Sequence, residues 1–473
     1  MRNPKATTAR LVRYYLTVKS ALNGEVFDFT AIDLRKAVIL LAIPMMLELA
    51  LESVFAVVDI FFVNKLGVHA VSVVGLTESV ITIVYSVGIG LSAAATATVA
   101  RRVGEKNYEA AAHVGAQAIV LAIVASVILG VSGYLFAEHI LRLMGAEPAA
   151  IAQGINYARI MLGGNLVIVL LFLINGIFRG AGNAAIAMKS LWIGNIFNII
   201  LDPLLIFGLA FFPELGITGA AVATTTGRGI AVIYQIYKLQ QASGILKIRG
   251  HHLKPNYTLM KNLISIASPA TFQFIIASAS WIFLASMVAT YGSSASAGYQ
   301  TAIRLFAFFI LPAWGMSNAV ATLVGQNLGA KLPDRAEKSV TIATRYNIFF
   351  MAVVTVLFMC FAYPLVHVFI PATQREQLNY AVLSLQIISS GYIFFGIGVV
   401  LTQAFNGAGD TRTPTWIAFF AFWIFQVPFA YCMHKYTGIG VAGIFMAVPI
   451  TEILMAIVVY ILFKRGTWKL TKV

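Results

Sequence analysis

Cysteine is almost absent from this chain, which contains only Cys360 and Cys432 among its 473 residues. Two cysteines inside apolar stretches provide neither a disulfide framework nor a cysteine-based metal site. Charged residues are also scarce, at 11% of the chain against about a quarter in an average soluble domain. The composition therefore argues against a water-soluble enzyme of this size, and it favours the lipid bilayer as the solvent.

Long apolar runs are what the chain has in place of charge, since 59% of its residues are hydrophobic. A helix needs about 20 apolar residues to cross a bilayer, because its backbone polar groups must be satisfied internally. On this criterion the sequence predicts an all-α membrane protein with about twelve transmembrane helices. The predicted segments 1 to 12 cover approximately 38–64, 70–99, 114–137, 155–178, 186–210, 217–239, 262–290, 296–324, 343–369, 380–405, 414–433 and 438–463.

The segments fall into two halves that resemble each other. Ala42-Ile43-Pro44 matches Ala267-Ser268-Pro269, and Gly104-Glu105-Lys106 matches Gly329-Ala330-Lys331, both at an offset of 225. Phe178-Arg179-Gly180-Ala181-Gly182-Asn183 matches Phe405-Asn406-Gly407-Ala408-Gly409-Asp410 at an offset of 227. Since six is an even number, both halves start on the same side of the membrane. The repeat is therefore predicted to be parallel, and transporters built in this way bind substrate between their halves.

These patterns predict five parts of the chain. They are a basic tail (1–36), an N-terminal lobe (37–239), a linker (240–261), a C-terminal lobe (262–463) and a short tail (464–473). Most of the 33 Lys and Arg residues fall on the side that holds both tails and the linker, which predicts a plasma (inner) membrane protein with cytoplasmic termini. Five fall on the other side: Lys65, Arg142, Arg159, Arg375 and Lys435.

Intramembrane acids are concentrated in the first half. Segment 1 carries Glu48, Glu52 and Asp59 at the spacing i, i+4, i+11, which places all three on one face of a helix as a single stripe. Such a stripe is too costly to face lipid and must face protein or water. Glu78 and Asp202 are the other acids within segments 1 to 6, whereas segments 7 to 12 contain only Glu452.

Segment 5 has a second polar stripe, because Asn195, Asn198 and Asp202 have the spacing i, i+3, i+7. Pro203 next to Asp202 removes a backbone donor and predicts a kink. We expect Asp59 and Asp202 to face each other and to bind a proton or Na⁺, for which carboxylate and amide oxygens serve equally. The alternative is that these acids only bond to the backbone or pair with Lys189 or Arg228.

The same residues resemble the multidrug and toxic compound extrusion (MATE) family along nearly the whole chain after the tail. The motifs are Pro44 followed by Val57-Val58-Asp59-Ile60-Phe61 and Leu66-Gly67, then Phe178 to Asn183, Gly325-Gln326-Asn327-Leu328-Gly329-Ala330, and Asn406 to Thr411. The resemblance implies two six-helix lobes around a V-shaped cavity, and export of amphipathic, often cationic compounds against Na⁺ or H⁺. It implies a secondary transporter and no enzyme.

One branch of the family keeps its cation site in the first lobe, and this sequence matches that pattern. The cation-binding residues implied are Asp59, Tyr157, Asn175, Asn198, Asp202 and Thr224, with Asp59, Asn198 and Asp202 as ligands if the ion is Na⁺. The branch with a second-lobe site has an acid where this chain has Ala277 and another in segment 10, where 380–405 contains none. Glu52, where the family more often has Gln, would favour cationic cargo.

We therefore expect a cation-coupled antiporter in which Glu52, Asp59 and Asp202 also contact the cargo and Pro44 and Pro203 act as hinges. No cofactor is expected beyond the coupling ion. The expected partners are small amphipathic molecules and membrane lipid, with no nucleic acid, and the protein is expected to be a monomer. A lipid-linked precursor flippase of the same superfamily is the alternative, but it would usually have fourteen helices and a basic cavity. In the linker, His251-His252 is interpreted as a solvated loop.

Overall fold

The computed structural model describes residues 15–209, 211–241 and 246–473, so part of the basic tail and of the linker lies outside it. Within these ranges every regular element is helical, which confirms the all-α prediction. After a helical stretch at 15–23, the twelve predicted segments correspond to twelve helices, α1 to α12. In chain order they are Leu34–Asn64, Val68–Gly104, Tyr108–Leu143, Pro148–Gly180, Ala184–Ile206, Ile217–Gln240, Tyr257–Ala289, Ser293–Gly329, Pro333–His367, Arg375–Ala408, Arg412–Tyr436 and Val441–Arg465.

Several helices are interrupted. In α4, Gly164 separates two helical pieces, the first of which ends at Gly163, and α10 bends by 51° between Ser389 and Tyr392. In α11, the stretch Phe419–Gln426 is π-helical. Ten of the described helices are long and apolar enough to cross a membrane, or eleven if the two pieces of α10 form one span. The helix α6 does not meet that criterion, and its sequence includes Thr224, Thr225, Thr226 and Arg228.

Local geometry repeats between the two halves as the sequence offsets predict. The residues at both matched lysine positions, Lys106 and Lys331, have a φ of +59°, a left-handed conformation that non-glycine residues seldom adopt. Gly67 and Gly292, which keep the same offset, precede α2 and α8 with φ values of 95° and 101°. The repeat is therefore present in the backbone as well as in the sequence.

The core shows how the lobes are joined. One cluster of buried apolar side chains lies within α1 to α7, and another lies in the second lobe. A third cluster combines the beginning of α1, from Ala37 to Met45, with side chains of α8, α9 and α10. In the same way α7 packs against α2, where a Cβ at Gly90 would lie 2.7 Å from the Ala267 carbonyl oxygen. The first helix of each half thus packs against the other half.

One end of the molecule is closed by backbone contact between α2 and α8. A Cβ at Gly104 would lie 2.0 Å from the Gln326 carbonyl oxygen, and one at Gly329 would lie 2.1 Å from the Arg101 carbonyl oxygen. The C-terminal tail covers this contact, since Arg102 Nη2 donates to the Val473 carbonyl at 2.9 Å and Arg101 donates to the Thr471 carbonyl. The orientation prediction makes this the cytoplasmic end.

Candidate cation site in the first lobe

The polar stripe of α5 faces the inside of the first lobe. Asn195, Asn198 and Asp202 are all buried, and Asp202 has no exposed surface. The stripe meets α6 where two glycines let the helices approach, because a Cβ at Gly227 would lie 2.6 Å from the Gly194 carbonyl oxygen. This close approach places Asn198 Nδ2 at 3.1 Å from Thr224 Oγ1, and Asn198 Nδ2 also lies 3.4 Å from Asp202 Oδ1.

Asp59 lies close enough to this group for its charge to act on both Asp202 and Tyr157. Tyr157 comes from α4 and is 3% exposed. Asn198 of α5 thus contacts both Asp202 and Thr224, whereas Asp59 of α1 and Tyr157 of α4 are linked to this group through the charge of Asp59. We call these five residues, Asp59, Tyr157, Asn198, Asp202 and Thr224, the Asp202 cluster.

Three oxygen atoms of the Asp202 cluster are buried and accept no hydrogen bond from the described residues. They are Asp59 Oδ1, Asp202 Oδ2 and Asn198 Oδ1. Buried polar atoms normally have a partner, so three unpartnered acceptors on neighbouring side chains need an explanation. Oxygen donors of this kind suit a proton or a hard cation such as Na⁺.

Asn175, the sixth predicted residue, takes part in a different cluster. Its Nδ2 donates to Glu48 Oε1 at 3.0 Å, and its Oδ1 accepts from Gln235 Nε2 at 2.5 Å and from Ser190 Oγ at 3.3 Å. On α5, Ser190 precedes Asn198 by eight residues, which is about 12 Å along the helix. The structure thus places Asn175 two turns away from the rest of its predicted group, in what we call the Glu48 cluster.

Two arginines accompany the acids of α1. Arg179 Nη1 lies 3.7 Å from Glu48 Oε1, and Arg228 Nη2 lies 3.8 Å from Glu52 Oε1. Arg228 also donates to the Tyr85 hydroxyl at 2.8 Å. Arg228, which the sequence alternative names as a partner for Asp59 or Asp202, pairs instead with Glu52. Its charge also acts on Asp59, although neither Asp59 nor Asp202 forms an ion pair within 4 Å among the described residues.

Other sequence candidates have more varied surroundings. Lys189 donates to the Asn23 carbonyl oxygen at 3.2 Å, so its partner among the described residues is backbone and not an acid. Pro44 and Pro203 lie inside α1 and α5, and both helices continue through them. Glu452 is buried in the second lobe at 7% exposure.

Of the two linker histidines, His251 is exposed, as the interpretation as a solvated loop predicts, whereas His252 contradicts it. His252 is 1% exposed, and its Nε2 lies 2.7 Å from Glu109 Oε1, while His251 Nε2 lies 3.2 Å from the same oxygen. Gln117, two turns along α3 from Glu109, donates to the carbonyl oxygens of His252 and Lys254. The prediction was wrong for His252 because Glu109 is far from it in sequence, and no local pattern indicates this contact.

Comparison with known proteins matches residues 44–204 and 269–432 to the family model MatE. The chain belongs to the MatE family. This MatE protein is 28% identical to the relative named "Probable multidrug resistance protein YoeA" from Bacillus subtilis, with 89% of this chain and 91% of the relative covered. It is 27% identical to "Probable multidrug resistance protein NorM" from Thermotoga maritima, with 92% and 94% covered.

Among solved structures, this chain is similar to a multidrug resistance MATE transporter of the MOP superfamily in an outward-facing conformation. The identity is 25%, the TM-score is 0.87, and the match covers 96% of this chain and 98% of the other. These matches confirm the two-lobe MATE fold and the membrane setting. They also show that members of this family are multidrug transporters rather than enzymes.

Proposed function

We propose that this protein is a cation-coupled antiporter, in which H⁺ or Na⁺ moving inward drives the export of amphipathic, mainly cationic small molecules. The observation that carries the proposal is the set of three unpartnered acceptor oxygens in the Asp202 cluster. A cation bound there would satisfy Asp59 Oδ1, Asn198 Oδ1 and Asp202 Oδ2 together. Thr224 and Tyr157 would complete the polar surroundings.

Charge balance supports a cation as the ligand. Four carboxylates lie in or near the Asp202 cluster, and their charges act on one another or on Arg228. They are Asp59 and Asp202 within the cluster, and Glu52 and Glu78 near it. Against them we find one guanidinium among the described residues, that of Arg228. Uncompensated charge in a low-dielectric interior is costly, so cation uptake stabilises this arrangement.

Antiport requires that the ion and the cargo weaken each other's binding. Both would be attracted to the same carboxylates, with Glu52, Asp59 and Asp202 in contact with the cargo. The helix α1 also offers a mechanical link, because its beginning packs in the core shared with α8 while Asp59 lies fourteen residues after Met45. Bending at Pro44, with Pro203 as a second hinge in α5, would couple ion binding to movement between the lobes.

The experiment is efflux of ethidium from proteoliposomes, driven separately by an inward Na⁺ gradient and by an inward pH gradient. One gradient is expected to accelerate efflux at least tenfold over liposomes without a gradient, and the active gradient identifies the coupling ion. If the efflux rate is the same with the Na⁺ gradient, with the pH gradient and without a gradient, the proposal is contradicted.

The proposal also includes a plasma membrane location with cytoplasmic termini, and one chain is sufficient for the cycle.

A further inference from the structure

An apolar groove runs along the outer face of the second lobe, between α11 and α12. Its volume is about 490 Å³, and among its lining side chains only Thr413 has a hydroxyl, amide or charged group. Trp416 and Phe420 of α11 form one wall, and Val458 and Leu462 of α12 form the other. Because Trp416 is 61% exposed and Phe420 is 55% exposed, the groove opens on the outer surface of the lobe.

The corresponding helices of the first lobe, α5 and α6, pack more closely. A Cβ at Gly227 of α6 would lie 2.6 Å from the Gly194 carbonyl oxygen of α5. When α5 and α11 are aligned on their prolines, Gly194 corresponds to Phe419. When α6 and α12 are aligned on the glycines that precede them, Gly227 corresponds to Thr451. The second lobe therefore has larger side chains where the first lobe brings two backbones into contact.

The backbone of α11 is unusual beside the groove. It is π-helical over Phe419–Gln426, a stretch that includes Phe420 and Ala421 of the groove wall. Such segments are rare, and they occur frequently at functional sites. The wider turn of α11 and the loss of the glycine contact together explain why a groove separates two neighbouring helices here.

One end of the groove is positively charged. Arg412 directly precedes Thr413 at the start of α11. Arg465, the last residue of α12, follows Leu462 by three residues and so lies on the same face of the helix. Both arginines are exposed. A nearby acid, Asp410, accepts hydrogen bonds from the backbone N–H and the hydroxyl of Thr413 at 3.1 and 2.7 Å. Two guanidinium groups and one carboxylate leave this end with a net positive charge.

The lysines near this end are neutralised by an acid of α9. Lys464 Nζ lies 3.1 Å from Glu337 Oε1, and Lys469 Nζ lies 2.6 Å from Glu337 Oε2. In contrast, Arg412 and Arg465 form no ion pair within 4 Å among the described residues. These two arginines can therefore bind an anion from the surroundings.

We infer that this groove binds an anionic phospholipid. One acyl chain lies between α11 and α12, and the phosphate of the head group lies at Arg412 and Arg465, since guanidinium groups form strong paired hydrogen bonds with phosphate. The groove has about three times the volume of a cavity of about 150 Å³ that holds benzene, so it has room for such a chain. The orientation given under the proposed function places the head group in the cytoplasmic leaflet, where anionic lipids are recognised by basic residues between helices.

Two phospholipids that differ only in their head groups test the inference. Dioleoyl phosphatidylglycerol is anionic, whereas dioleoyl phosphatidylcholine has the same acyl chains and no net charge. Each lipid is titrated separately into the purified full-length protein in detergent, and bound lipid is measured by native mass spectrometry. We expect the protein to bind phosphatidylglycerol about tenfold more tightly, because two arginines attract its phosphate without an opposing charge on the lipid.

The head-group contact is tested by the double variant Arg412→Gln with Arg465→Gln. It should bind the two lipids about equally, because the groove remains and the two positive charges are lost. Lys338→Gln with Arg345→Gln is the charge-matched control, since both side chains are exposed on α9 and neither lines the groove. The control should keep the preference for phosphatidylglycerol.

The acyl contact is tested by Val458→Trp, which places an indole ring in the groove. It should weaken binding of both lipids about fivefold, because the ring occupies the space of the chain. Ile457→Trp is the matched control, since Ile457 is the neighbouring residue and lies outside the groove lining. If Val458→Trp does not fold, Leu454→Trp in the same wall decides, because both side chains are 36% exposed.

Equal affinity of the unchanged protein for the two lipids would overturn the inference, as would an unchanged preference in the double arginine variant. A preference that depends on the arginines but not on the filled groove would also overturn it, because the site would then bind only a phosphate group. The measurement uses no ion gradient and no exported compound. Its result is therefore independent of whether the antiport proposal holds.

Discussion

The two lobes have the same helical plan, but their interiors differ in chemistry. At positions matched by the offset between the two halves, Asp59 in α1 corresponds to Leu284 in α7, and Asp202 before Pro203 corresponds to Val427 before Pro428. The second lobe therefore has an apolar core where the first has unpartnered carboxylates. The comparison shows that the fold does not need these acids, so their presence in one lobe calls for a functional explanation.

The first way to test this difference is to remove one acid from each lobe. Asp202→Asn should reduce ion-driven ethidium efflux at least tenfold, because the site loses its charge while keeping its shape. Glu452→Gln, the corresponding change to the buried acid of the second lobe, should leave efflux within about twofold of the unchanged protein. The measurement is initial efflux rate in proteoliposomes at equal protein content. If the two variants lose similar amounts of efflux activity, the acids of the two lobes do not differ in function.

Arg228 offers a second test of the difference between the lobes. When the two halves are aligned on the glycines that precede α6 and α12, Arg228 corresponds to Glu452, so a base in one lobe occupies the position of an acid in the other. Arg228→Met should destabilise the protein by about 2 kcal/mol, since Glu52 and the Tyr85 hydroxyl both lose a charged partner. The thermal unfolding midpoint in detergent measures this effect. The double variant Arg228→Met with Glu52→Gln should recover part of the loss, and no recovery would show that the Glu52 pairing is unimportant.

The smallest expected effect concerns the contact between α5 and α6. Gly227→Ala should cost about 1–2 kcal/mol, because its Cβ would meet the Gly194 carbonyl oxygen at 2.6 Å. Gly229→Ala is the matched control, since its Cβ would only touch a Val167 methyl at 3.8 Å. Gly229→Ala is expected to be neutral or slightly stabilising in the same unfolding assay. Equal midpoints for the two variants would show that the close contact between α5 and α6 does not contribute to stability.

The sequence was a good guide to the helices and to the repeat, because both depend on local composition and on spacing. The helices mostly extend beyond the predicted apolar segments, as Val68–Gly104 does beyond 70–99, because helical hydrogen bonding continues past the hydrocarbon layer. The break at Gly163-Gly164 and the π-helical stretch in α11 were not predicted. A hydropathy pattern reports how apolar a stretch is and not how its backbone turns.

Site residues were predictable to the extent that one helix face determined them. The stripe Asn195, Asn198 and Asp202 is buried as expected, because its spacing alone places it on one side of α5. The partners of Asn175 depend on how four helices rotate and pack, and the sequence does not contain that information locally. Tyr85 was missed for the same reason, although an arginine within a transmembrane segment was a reason to look for a buried acceptor.

The closed end of the molecule has a consequence for leakage. Because α2 and α8 meet there through glycines and carbonyl oxygens, the contact itself has no side chain that could swing aside on a nanosecond timescale. Opening this contact requires α2 and α8 to separate as whole helices, a collective motion that takes microseconds or longer. The barrier to unproductive permeation is then set by the rigidity of two backbones, and bulky gatekeepers are unnecessary.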